Sequence, residues 1–238
     1  MKTAVFGSRK KVKYTRDHWK LLREKRKIAK EIMETLKDYG IPSIVYGSIA
    51  RGDVKPTSDV DIFIPLLIPS YKLELALQDF GILERRIIQA TPNYAIKGEI
   101  ILEEANVSFP LVKMREKEMD FYRFGGYLDL RGLKRNQRIA GVDKRLVLIV
   151  PLKDGHYEVP TNEIDKSELA RFLNVCIEVV EERFRVLERR REIGRTGIFL
   201  NERVPETESF ESYLASLSFQ NNHLKRRMKL FLKHPFFQ

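Results

Sequence analysis

The sequence predicts an α/β fold: a small mixed sheet with flanking helices, then a strand pair and a mainly helical C-terminal domain. Three observations carry this. Residues 17–39 place Trp19, Leu22, Ile28, Ile32, Met33 and Leu36 at roughly helical spacing. Val60, Ile62 and Ile64 alternate with Asp59, Asp61 and Phe63, the period of two that a strand requires. From residue 163 onward the apolar residues recur mostly at helical intervals.

The elements follow in order. Residues 1–16 read as an irregular basic arm. Asp17 is placed to cap the first helix, and Gly40 and Pro42 to stop it. Ser43 to Tyr46 reads as a short buried strand, and residues 49–52 as the start of a short helix. Pro65 and Pro69 end the alternating strand. A helix is expected over 71–80, while 82–88 fits either state. Two strands, 95–102 and 107–112, flank a tight turn at Glu103 to Asn106. Residues 115–123 are helix-like up to Gly125-Gly126. Leu146 to Pro151 is an apolar strand, and Asp154-Gly155 turns it into 156–159. The expected organisation is an arm at 1–16, a first domain at 17–130, a basic connector with the strand pair at 131–160, and the helical domain at 161–238.

Composition narrows the function classes. The chain has 238 residues, of which 43% are hydrophobic and 32% charged, enough for a buried core. The longest nearly uncharged apolar run, Ile62 to Pro69, is far too short to span a bilayer, and the N-terminus has no long apolar stretch of the secretory kind. A single cysteine, Cys176, excludes a disulfide framework and an all-cysteine metal site. His18, His156, His223 and His234 have no metal-ligand spacing. A cytoplasmic protein with no membrane partner is expected. The net charge of +11 is uneven: +10 over residues 1–30, −5 over 31–130 and +6 over 131–238. Clustered basic charge points to a polyanionic partner, above all nucleic acid.

The chemistry sits in Val45-Tyr46-Gly47-Ser48-Ile49-Ala50-Arg51-Gly52, followed by Ser58-Asp59-Val60-Asp61-Ile62-Phe63-Ile64. Asp59 and Asp61 are two apart on a strand, so their carboxylates share a face. Like charges that close repel unless a cation lies between them. Hard carboxylate oxygens suit Mg²⁺ or Mn²⁺. Gly47 lets a backbone approach a phosphate with no Cβ in the way. Ser48, at a helix start, offers a hydroxyl and backbone N–H groups to an anion. Either half alone is also what a turn or a solvent-facing strand end looks like. The two together, each behind its own apolar strand, describe a metal–triphosphate site.

This arrangement resembles the signature of the DNA polymerase β nucleotidyltransferase superfamily: an apolar residue, Gly-Ser, a spacer of about ten residues, then acid-apolar-acid-apolar. Arg51-Gly52 and Ser58 add the wider form found in many members. The likeness covers roughly residues 30–112. The whole chain is also similar to an archaeal group of predicted nucleotidyltransferases. The resemblance implies a polymerase-β-like fold in which Gly47, Ser48, Arg51 and Ser58 serve the nucleotide, and Asp59 and Asp61 ligate the metal. Arg51 is equally placed to pair with Asp53 and shape the loop. Active relatives bring a third carboxylate from a later strand, which helps bind the catalytic metal and can act as the general base. Glu99, sharing a face of 95–102 with Lys97, is the candidate here, although the family more often has Asp, and an exposed strand glutamate is the plainer reading.

In the C-terminal half, Leu169, Ala170 and Leu173 mark a short helix, Asn174 suits a left-handed turn, and Ile177, Val180, Phe184 and Leu187 mark a second helix. This resembles a helix-turn-helix with Arg183, Arg189 and Arg190 on a recognition helix, and Ile193 to Leu200 as the wing of a winged helix. A structural helical hairpin is the alternative. Lys134, Arg135 and Arg138, in a stretch with six Lys/Arg and one Asp, suit a phosphate-backbone track or a solvated linker. The tail mixes Lys225, Arg226 and Arg227 with Phe236 and Phe237, which suits base stacking or docking of the terminus. The expected activity is metal-dependent transfer of NMP from an NTP to a hydroxyl of a nucleic-acid acceptor, RNA ahead of DNA. The alternative is a nucleic-acid-binding regulator whose nucleotidyltransferase domain senses nucleotide or is inert.

Overall fold

The computed structural model describes residues 9–194 and 197–232. The elements run β1 (Lys10–Lys13), α1 (Arg16–Asp38), β2 (Ile44–Tyr46), α2 (Ser48–Arg51), β3 (Asp61–Phe63), α3 (Ser70–Leu77), β4 (Ile82–Gln89), β5 (Lys97–Leu102), β6 (Asn106–Pro110) and α4 (Glu116–Gly125). They continue with β7 (Tyr127–Asp129), α5 (Leu130–Lys134), β8 (Gly141–Val142), β9 (Val147–Leu152), β10 (Gly155–Pro160), α6 (Lys166–Leu173), α7 (Ile177–Ile193), β11 (Leu200–Arg203), α8 (Phe210–Gln220) and α9 (Asn222–Leu232). Among the described residues no helix is long and apolar enough to cross a membrane.

The chain folds as two compact units that interleave in sequence. One holds Met1–Glu31, Ile44–Asp61 and Glu116–Thr196; the other holds Ile32–Ser43, Ile62–Arg115 and Gly197–Gln238. Helix α1 and strand β3 each run from one unit into the other.

Helix α1 begins differently from expectation. The Thr15 hydroxyl, not Asp17, accepts the N–H of His18 at 3.2 Å and caps the first turn, while Asp17 lies inside it. At the far end Gly40 has φ 72°, its N–H donates to Lys37, and the Ile41 N–H donates to Leu36. That pair of bonds is a Schellman stop. The buried seam of α1 is Leu22, Arg26, Ala29, Met33 and Leu36 at steps of 4, 3, 4 and 3 residues, so a cation occupies a core position.

In the first unit β1, β10, β9 and β8 form a four-stranded antiparallel sheet. Residues 10–13 are thus a paired edge strand rather than part of an irregular arm; residues 1–8 lie outside the described residues. The period of this segment is easy to miss because only Val12 is apolar. The β9–β10 loop is Lys153-Asp154, and Gly155 already pairs with Leu152. Gly155 is needed for another reason: a Cβ there would lie 1.9 Å from the Val12 carbonyl oxygen of β1. Strands β2 and β7 also pair antiparallel.

The core of this unit packs Phe124 of α4 and Leu146 and Leu148 of the β8–β9 region against Leu169 and Leu173 of α6 and Val180, Phe184 and Leu187 of α7. Asn174 takes the left-handed turn between α6 and α7 (φ 52°, ψ 54°), as its side chain predicts. Asp165 caps α6 through the N–H groups of Ser167 and Glu168.

In the second unit β11, β4, β5 and β6 lie side by side, antiparallel throughout. β3 runs into this unit, where the Ile64 N–H donates to the Ser108 carbonyl of β6 at 2.9 Å. Phe109 and Phe210 meet edge to face at 5.0 Å, and Glu211 of α8 accepts the backbone N–H and hydroxyl of Ser70 at 2.7 Å each. Residues 200–203 correct the winged-helix expectation. They pair with β4 along Leu200–Arg203, so Leu200, the last residue of the expected wing, opens a strand of this sheet. Residues 195–196 of that expected wing, and Phe236 and Phe237 of the tail, lie outside the described residues.

Candidate nucleotide site

Gly47 ends β2 and opens α2 with φ 74° and ψ −141°, a conformation that L side chains rarely adopt. Nothing lies within 4 Å of where its Cβ would sit, so the side of the turn on which a phosphate would approach is open. Its N–H donates to the Gly126 carbonyl at 2.9 Å, which fixes the turn against the end of α4. Its carbonyl accepts the N–H groups of Ala50 and Arg51. Ser48 is therefore the first residue of a one-turn helix, where N–H groups have no intrahelical partner.

A helix of four residues does not stand by itself. The other end of α2 is held by three side chains. Arg26 donates from Nε and Nη2 to the Ile49 carbonyl at 3.0 and 2.9 Å, and from Nη2 to the Ala50 carbonyl at 3.1 Å. His18 Nε2 is hydrogen-bonded to the Gly52 carbonyl at 2.8 Å. Arg51, 5% exposed, grips both carboxylate oxygens of Asp53 at 3.0 Å and the Gly125 carbonyl at 2.6 Å. Of the two roles open to Arg51, phosphate contact or a loop-shaping pair with Asp53, the structure shows the second. Sequence reading overlooked Arg26, although a cation in a 4-3-4-3 apolar seam is the signal that finds it. Burial pushes its pKa down to about 10, and the charge of Arg138 pushes the same way.

The loop that carries the acids meets the Gly-Ser turn directly. The Ser48 hydroxyl donates to the Ser58 hydroxyl at 3.2 Å, and Ser58 also accepts the Lys55 N–H at 2.9 Å. Asp59 follows immediately and is exposed; Asp61, half-buried, opens β3. The expected strand is shorter than the alternation suggests, since β3 itself covers residues 61–63. Val60, Ile62 and Ile64 are all buried, as predicted, and so is Phe63.

Glu99 lies on β5, across from Arg86 of β4 and Ser108 of β6. The burial of β5 alternates, with Gly98, Ile100 and Leu102 inward and Lys97, Glu99 and Ile101 half-exposed, as expected. Lys97 sits over the Phe63 ring, 5.5 Å from its centroid. Among the described residues no group of three or more His, Cys, Asp or Glu is arranged to hold a metal ion. Two carboxylates nonetheless fit Mg²⁺, which is commonly bound by one or two carboxylates plus substrate phosphates rather than by an all-protein cage.

The residues expected to meet nucleic acid are spread over several environments. Arg183 lies over the Phe121 ring at 4.9 Å, Arg189 is exposed and Arg190 half-buried on α7. Lys134 and Arg135 are exposed at the end of α5. Arg138 donates to the carbonyls of Gly155 and Leu152 and lies over the Trp19 ring at 4.9 Å.

Residues 25–127 match the family model of the nucleotidyltransferase domain, a span that contains Arg26, Gly47, Ser48, Arg51, Ser58, Asp59, Asp61 and Glu99 but not His18. The chain matches no curated protein and no solved structure.

Proposed function

We propose, for a chain whose residues 25–127 belong to the nucleotidyltransferase domain family of the DNA polymerase β superfamily, that it moves NMP from an NTP to a hydroxyl of a nucleic-acid acceptor, RNA ahead of DNA. One observation carries this reading: the Ser48–Ser58 hydrogen bond joins the Gly-Ser turn to the loop that delivers Asp59 and Asp61. Gly47, Ser48, Ser58, Asp59 and Asp61 lie in one compact unit, which supports this reading.

In this reading the open turn at Gly47 and the hydroxyl of Ser48 receive the triphosphate, with Ser58 orienting that hydroxyl. Asp59 and Asp61 would hold Mg²⁺ or Mn²⁺, which supplies neutralisation of phosphate charge and a more acidic attacking hydroxyl. The acceptor oxygen bonds to the α-phosphorus as the bond from that phosphorus to the β-phosphate oxygen breaks, and pyrophosphate leaves with the electron pair. The hydroxyl proton passes to a general base, and the family resemblance offers Glu99 for that role as well as for a third metal ligand. Arg51 serves as a positioning residue through Asp53 and Gly125, and leaves the nucleotide to Gly47, Ser48 and Ser58.

The test is transfer of α-labelled NTPs, each in turn, to RNA, DNA and protein with Mg²⁺ or Mn²⁺. The intact protein is compared with Asp59→Ala/Asp61→Ala and with Glu99→Gln. Label is expected on RNA with the intact protein alone, and at a level reduced by about 100-fold with Glu99→Gln. Label that persists in the Asp double variant would overturn the metal assignment. Strand binding with no label on any acceptor would favour the regulator.

A further inference from the structure

The first unit carries a groove of about 410 Å³ that the nucleotide site does not use. Helix α1 forms one wall, with Arg23, Arg26, Lys27 and Lys30; the end of α5 and the segment after it form the other, with Lys134 and Arg138. None of its ten lining residues is acidic. Six cations with no acid among the lining residues give the groove a positive potential that attracts anions. Burial lowers the pKa of Arg26, and the charge of Arg138 alone among the groove cations lowers it further. Arg23, Lys27 and Lys30 are exposed and follow one stripe of α1. At 1.5 Å per residue the stripe spans about 10 Å, the reach of several successive backbone phosphates rather than of one. The Lys27–Glu31 pair at 3.8 Å is exposed on both sides and easily broken.

We infer that this groove binds the sugar-phosphate backbone of a nucleic-acid strand. Trp19, the aromatic residue of the groove, already carries Arg138 on its ring at 4.9 Å and Tyr14 edge-on at 5.0 Å, so recognition runs through phosphates with little base preference. The groove also touches the nucleotide site. Arg26 holds the last carbonyls of α2, and the Arg138 side chain packs where a Cβ of Gly52 would be, at 2.6 Å. A strand in the groove therefore lies against the end of α2 opposite Ser48, one helical turn, or about 6 Å, away. That the strand is the acceptor rests on the function proposed above; that it binds does not.

The test uses the full chain without NTP. Anisotropy of labelled single-stranded RNA and DNA of mixed sequence is followed over a salt series, with anionic vesicles as a separate arm. Arg23→Gln/Lys27→Gln/Lys30→Gln is compared with Lys117→Gln/Lys153→Gln/Arg171→Gln, which removes equal charge from α4, the β9–β10 loop and α6. All six side chains are exposed, and urea denaturation checks that both variants remain folded. The groove variant is expected to lose affinity about tenfold or more, and its slope of log K against log salt to flatten by about 2, three phosphate contacts at about 0.7 each. The control is expected to change far less. Wild-type strand binding by the groove variant overturns the inference, as does an equal loss in the control or an effect confined to vesicles. Strand binding that depends on the groove, with no transfer activity in the intact protein, would leave this inference standing and remove the proposed reaction.

Discussion

The hydroxyl of Ser48 donates to the hydroxyl of Ser58 at 3.2 Å, ten positions further along the chain. The same Ser58 oxygen accepts the N–H of Lys55 at 2.9 Å, so one atom closes the loop and ties it to the Gly-Ser turn. A hydroxyl has two acceptor lone pairs, enough for both bonds. The spacer length in the motif thereby acquires a structural meaning: it lets the residue before the first acid return to the residue that opens α2.

Ser58→Ala is expected to cost about 1 kcal/mol in urea denaturation, the net worth of a hydrogen bond of this kind. In the reading proposed here it also slows single-turnover transfer about fivefold, because Ser48 loses the partner that orients it. Ser58→Thr keeps the hydroxyl and is expected to restore most of both. A wild-type rate in the alanine variant, with stability lowered, would separate the bond from function.

Arg26→Met is expected to destabilise by about 2–3 kcal/mol. It leaves the buried carbonyls of Ile49 and Ala50 without their guanidinium donors. Arg26→Lys recovers part of that loss, since an ammonium can donate but cannot reproduce the fork. Urea denaturation of the three proteins checks the order; equal stability of the arginine and methionine proteins would show that α2 is held without this anchor.

His156 gives the protein a pH dependence of known sign. It is 4% exposed, its Nδ1 is hydrogen-bonded to the Tyr14 hydroxyl at 2.8 Å, and burial holds its pKa below the ordinary value of 6.5 despite the neighbouring carboxylate of Glu158. The unfolded chain protonates this imidazole at about pH 6.5, while the folded chain keeps it neutral to lower pH. Stability is therefore full above pH 6.5 and declines as pH falls from there. Glu158 adds a second decline further down: burial raises its pKa, but the hydrogen bond and charge of Arg145 outweigh this and hold it below the ordinary 4.5. Thermal melts from pH 8 to pH 4 are expected to show both. His156→Phe should abolish the upper one and leave the lower; an unchanged upper decline would assign it elsewhere.

Much of the site was legible because its logic is local. Gly47 must accept a positive φ, Ser48 must follow it, and two acids must stand two apart; each is a property of neighbours along the chain. The same holds for Gly40 at the end of α1, for Asn174 between α6 and α7, and for the Val180, Phe184 and Leu187 seam of α7. Alternation along β5 likewise identified Lys97 and Glu99 as one half-exposed row.

The elements that escaped notice owe their form to partners distant in sequence. Residues 10–13 have little strand character of their own and are extended because β10 pairs with them. Leu200–Arg203 becomes an edge strand because β4 offers one, not because the glycines before it prepare a wing. Arg51 pairs with Asp53 rather than standing open, since its burial demands a counter-charge and the Gly125 carbonyl completes the shell. The amino-acid order alone determined which residues have the chemistry to hold a triphosphate and a divalent ion. Only tertiary structure decided that Arg26, Arg51 and His18 hold α2 in place, and that the cations of α1 face those beyond α5 across a groove. The physical reason is that burial and charge pairing depend on which segments meet, and a one-turn helix is stable only where other segments satisfy its ends.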